Sequence, residues 1–159
     1  MKKLLVTIPL MLMTFMGISQ NDRFTFAVNT EPYAYDDGFN IGASIEYQME
    51  LMYFKAQAFA FPGLNGKGYF DWEGTLLGFN LRNRFDTDRI YAGFKVGLIY
   101  REGPHPKAGL EVGYEHYFRN GFYIGMEPSY DYRTDGRVWE TDADNYWRLN
   151  NKIKFGYSW

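Results

Sequence analysis

Two histidines, no cysteine and a series of regularly spaced charges are the groups in this chain that could do chemistry. A histidine serves as a general base when a hydroxyl or water lies within hydrogen-bond reach. His116 stands in Glu115-His116-Tyr117, within an alternating segment, and Phe118 follows two residues on. His105 is held between Pro104 and Pro106 in a connection. The longer connections carry no serine, so neither histidine has an evident nucleophile to activate. An interfacial role for His116 and a turn role for His105 are expected instead. Acidic residues gather in two connections, Glu31, Asp36 and Asp37 in the first and Asp135, Glu140, Asp142 and Asp144 in the last. Carboxylates can ligate Ca²⁺ or Mg²⁺. The stretch Asp142-Ala143-Asp144-Asn145 nevertheless lacks the glycine and downstream glutamate of an EF-hand loop. No metal, no cofactor and no catalytic residue is expected.

The remaining charges alternate with apolar residues, and that alternation is the main structural signal. The last eight residues show it most clearly. Ile153, Phe155, Tyr157 and Trp159 alternate with Lys152, Lys154, Gly156 and Ser158, so one face is aromatic and the other charged or small. Eight such segments are predicted as strands: 23–30, 39–49, 51–61, 75–85, 89–101, 107–118, 122–133 and 146–159. Long connections at 31–38, 62–74 and 134–145 take turns with short ones, the mid-length 102–106 excepted. This is the rhythm of an even-stranded barrel with short turns at one end and longer loops at the other.

The polar faces carry Glu46, Lys55, Arg82, Arg84, Lys95, Glu111, Glu115, Glu127, Asp131, Arg148, Lys152 and Lys154, interspersed with glycines. Both signs mixed with glycine suit a packed interior of paired charges, because an eight-stranded barrel is just wide enough for side chains. A fifth hairpin strand closing on the sixth near Pro104 would set Lys95 opposite Gly113. Aromatic residues cluster at the strand ends as interfacial belts do. Tyr33, Tyr35, Tyr69, Trp72, Tyr100, Tyr132, Trp139 and Tyr146 are assigned to the long-loop rim. Phe85, Tyr91, Tyr117, Phe118, Phe122, Tyr157 and Trp159 are assigned to the other. Tyr69, Phe70 and Trp72 in the second loop and Trp139 in the last are the candidate contacts for a partner.

The first residues read as a secretory signal: Lys2 and Lys3, an apolar run from Leu4 to Met16, then small residues at Gly17 and Ser19. Cleavage after Ser19 is expected, leaving one domain over 20–159. Removal of the two lysines leaves 15 basic against 19 acidic residues, a balance that argues against nucleic acid as a partner. An exported chain without cysteine owes nothing to disulfides. If it enters a membrane it does so as a closed barrel, since only helices and closed barrels satisfy their backbone in lipid.

On the signal, the strand count, the loop rhythm and the Lys152–Trp159 segment, the mature chain resembles the small eight-stranded outer-membrane proteins of the OmpA/OmpX type. The resemblance implies an all-β, antiparallel, up-and-down transmembrane barrel in the outer membrane. It implies that Ile153, Phe155, Tyr157 and Trp159 are read by the barrel-insertion machinery, and that lipid and lipopolysaccharide are partners of a monomer. It brings no shared catalytic residues and no peptidoglycan-binding domain. The expected role is structural or surface-interacting, with a plugged interior and external loops contacting partners or lipopolysaccharide. A narrow channel for small solutes and a lipid A-modifying enzyme are the alternatives. The deacylase type of the latter places a serine two residues from its histidine, where this chain has Phe118.

Overall fold

Alternation of period two buries one face of every strand, and eight tilted strands bury those faces best by closing on themselves. The computed structural model describes residues 22–32, 40–61, 68–136 and 145–159. The candidate contact Trp139 and the expected signal segment lie outside them. The strands are β1 (Arg23–Thr30), β2 (Ile41–Gln48), β3 (Met52–Phe61), β4 (Tyr69–Arg82), β5 (Asp88–Arg101), β6 (Gly103–Tyr117), β7 (Phe122–Arg133) and β8 (Tyr146–Ser158). Each pairs antiparallel with the next in a closed barrel. Closure is made by β1 on β8, with Thr25 opposite Ser158 and Thr30 opposite Ile153. Beyond it, the Phe24 N–H donates to the Trp159 carbonyl at 3.2 Å and the Trp159 N–H to the Phe24 carbonyl at 3.0 Å.

Polarity is inverted relative to a water-soluble protein. Leu110 and Leu149 on the outward face are 62% and 74% exposed, whereas Lys95 and Lys154 inside are each 1% exposed. Lysine is almost never fully buried in a soluble fold unless paired. An outward face of leucine, phenylalanine, valine and isoleucine, with alanine on β3, needs an apolar solvent.

Three features depart from the sequence expectation. β4 begins at Tyr69 rather than Thr75, because Tyr69 to Glu73 already alternates. The alternation then slips: both neighbours' registers shift around Leu76, and Leu76 and Leu77 both face outward. One extra residue in a strand is a β-bulge, and it resets the phase of everything after it. β5 and β6 continue to the tightest possible end, Arg101 opposite Gly103, around Glu102 at φ 61°. Lys95 therefore faces Gly109 and not Gly113, which lies opposite Tyr91.

In β7, Pro128 has no N–H to give β6. The β6–β7 ladder accordingly lapses between the pairs Glu111–Ser129 and Tyr114–Met126.

Candidate functional site: the charged interior

The inward positions of six strands converge on three glutamates. Glu73 of β4 receives Lys95 at 3.1 Å and, closer still, Lys107 of β6 and Lys152 of β8. Glu127 of β7 receives Lys55 at 2.7 Å, Lys152 at 3.4 Å and Lys154 at 3.5 Å. Glu115 of β6 takes Lys154 at 2.5 Å, Arg89 at 2.8 Å and the Tyr117 hydroxyl at 2.6 Å. Glu111 links the layers, accepting from Lys55 at 2.7 Å, Tyr53 at 2.7 Å and Thr75 at 2.8 Å. Asp131 holds Lys95 at 3.0 Å and accepts from Asn150 at 2.6 Å. Glu46 pairs with Arg89 at 2.5 Å. Every member is shielded from bulk solvent, so each charge depends on its partners.

Large side chains fit because glycines face them. Tyr53 lies opposite Gly78, Tyr91 opposite Gly113 and Tyr123 opposite Gly156. A Cβ on Gly78 would run into the Tyr53 ring, and one on Gly113 into the Tyr91 ring. The two rings meet edge to face at 5.3 Å, and the Arg89 guanidinium lies 4.8 Å from one and 4.4 Å from the other. Cation–π contact of this kind spreads the charge over the aromatic shelf.

Of the residues singled out from sequence, Glu46, Lys95, Glu111, Glu115, Glu127, Asp131, Lys152 and Lys154 are buried within the barrel. Arg82 lies half-buried at the short-turn end, 2.6 Å from Gln48 and 3.6 Å from Asp86. Arg148 sits at the long-loop end, 3.5 Å from Glu31. Arg84 is a correction: it is exposed in the turn between β4 and β5, beyond the strand that would have turned it inward. Ile153, Phe155, Tyr157 and Trp159 line the outward face beside β1 and β7.

The candidate loop contacts are also corrected. Tyr69, Phe70 and Trp72 belong to β4 and not to a loop. Tyr69 points inward, stacked on Phe61 at 4.2 Å with Arg101 over its ring at 4.4 Å. Phe70 and Trp72 face outward. Tyr91 and Tyr117 likewise leave the rim belt for the interior.

Sequence reasoning passed over Asp71, Glu73, Arg89 and Lys107. The signal for Arg89 was present, since it shares the parity of Tyr91, Gly93 and Lys95 along β5. Asp71 and Glu73 were hidden by the bulge at Leu76.

At the short-turn end of the outer surface, His116 pairs across the strands with Asp88. Its Nδ1 lies 2.8 Å from an Asp88 oxygen that also accepts from the Tyr114 hydroxyl at 2.6 Å. His105 Nδ1 lies 3.1 Å from the Thr134 carbonyl.

No family model matches the chain, and no curated protein matches it. Solved structures do, two outer-membrane barrels among them. One is outer membrane protein H (OprH) from P. aeruginosa in DHPC micelles, with a TM-score of 0.63 at 12% identity over 87% of this chain and 99% of that one. The other is the N-terminal β-barrel domain of Pseudomonas aeruginosa OprF, with a TM-score of 0.51 at 12% identity over 88% and 98%. At such identity the likeness is one of fold. Taken with the apolar exterior and charged core, it defines the class: this chain has the fold of the small eight-stranded, OmpA-like outer-membrane β-barrels.

Proposed function

We propose that the barrel is a closed structural and surface-interaction protein whose interior is plugged, and that it does its work at the rims and loops. The carrying observation is the convergence of Lys95, Lys107 and Lys152 on Glu73, with Lys152 continuing to Glu127. Ion pairs spanning the lumen from β4 to β8 take up the space through which an ion would pass. Breaking any one of them uncovers a buried charge, so the cross-section resists opening. A narrow channel is the reading this disfavours.

Lipid and lipopolysaccharide are the proposed surroundings of a monomer inserted by the barrel-assembly machinery. Outward aromatics near the long loops, Trp72, Tyr100, Tyr132 and Trp147, suit that interface. The loops, including the position of Trp139, are the proposed contacts for partners. A catalytic role is not proposed, since among the described residues neither histidine has a serine among its hydrogen-bond partners.

Conductance across a planar bilayer tests the plug. Pure protein is expected to leave the bilayer silent at moderate voltage. Reproducible unitary steps that change in Lys152→Gln would overturn the plugged reading.

A further inference from the structure

Near the short-turn end the mostly apolar outward face carries a polar group. There Asp88, Tyr114 and His116 form a hydrogen-bonded group on the lipid-facing side of β5 and β6. Thr87 and Asn83 complete it, each donating to the second Asp88 oxygen, at 2.8 and 2.6 Å. The His116 side chain is 42% exposed. Asp88 occupies Nδ1 and orients the ring, so Nε2 is the nitrogen left to meet an outside group. Phe118 steadies the ring from one edge, at 5.1 Å in a T-shaped contact.

Next to this group the outer surface is grooved. The groove measures about 540 Å³ and its walls are almost wholly apolar. It runs from Phe118, Phe122 and Tyr157 at the rim toward Ile124, Phe155 and Phe26 deeper in the apolar band. The two features are continuous, because Phe118 belongs to both and Ile124 is the cross-strand partner of His116. Arg119 follows in the exposed turn.

We infer that this is a binding site for one phospholipid, with an acyl chain in the groove and the phosphodiester held between His116 and Arg119. The chemistry agrees at both ends. With Asp88 accepting from Nδ1–H, Nε2 donates in the imidazolium form, and that N–H and a guanidinium at the edge of the apolar band are donors for a phosphate oxygen. An apolar groove leading from them takes a hydrocarbon chain that lipid already supplies. The inference rests on the outer-membrane class and is independent of whether the lumen conducts.

Native mass spectrometry of the full mature protein, released from detergent micelles doped with phosphatidylglycerol, tests it. One bound phospholipid is expected on the wild-type protein. A diacylglycerol with the same chains but no phosphate should be retained less. His116→Leu should cut phospholipid retention about tenfold, the worth of one charge-assisted hydrogen bond. Ile124→Trp, which fills the groove, should cut it as well. Heat-modifiable gel migration confirms that both variants are folded. Equal retention of the two lipids, unchanged retention in both variants, or a protein dimer in place of the lipid adduct would overturn the site.

Discussion

Glu73 shows how much a single residue carries in this barrel. Three lysines from β5, β6 and β8 meet on it, and its side chain is 1% exposed. Removing one partner of a buried pair costs about 3–5 kcal/mol, because the charge left behind stays buried. Glu73→Gln is therefore expected to lower the unfolding free energy, read from the urea transition of the folded, fast-migrating band, by an amount of that order. Arg84→Gln, at an exposed turn position, is expected to shift it by less than about 0.5 kcal/mol. Equal effects of the two would show that the interior charges are not coupled. The same scale explains what the sequence concealed. Tyr91 and Tyr117 look like interfacial aromatics when only hydropathy is read. Inside, each has a carboxylate for its hydroxyl, as has Tyr53, and Tyr53 and Tyr91 each have a glycine for their ring. Neither fact is visible until neighbouring strands are in register.

Among the elements, β8 is the one on which closure depends. Four of its six paired residues on β1, from Phe155 to Ser158, lie in the terminal segment. Deleting Phe155–Trp159 leaves the inner end of β1 as an open edge, whose backbone groups find no partner in lipid. The deletion is expected to abolish heat-modifiable protein in the outer-membrane fraction. Normal amounts of such protein would contradict this view of closure. The alternation of β8 was plain in the sequence, as were the number of strands and the positions of most turns. β4 was half legible. Its first five residues alternate as well as any, but Leu76 breaks the phase and makes Tyr69 to Glu73 resemble a loop. The β5–β6 end was misread for a related reason. Pro104 and Pro106 suggest a loop, yet in a hairpin they occupy outward positions opposite Tyr100 and Leu98.

At the scale of the molecule, the two faces of one closed sheet are matched to two different surroundings. Outward leucines and phenylalanines meet hydrocarbon, and inward lysines and glutamates meet one another. Sequence periodicity shows that the faces differ. Choosing which face is inside took the mixture of opposite charges with glycine, and in the structure Lys95 reaches Asp131 across the level of Gly109. Because the chain has no cysteine, single reporters can be placed without background. Nitroxide labels at Ile90, Leu110 and Leu149, all outward, give the most direct test of this inversion in reconstituted bilayers. Collision with oxygen is expected to dominate at all three sites, with the water-soluble nickel relaxant excluded. Ready access of the nickel relaxant at these positions would place the apolar face in water and contradict the account.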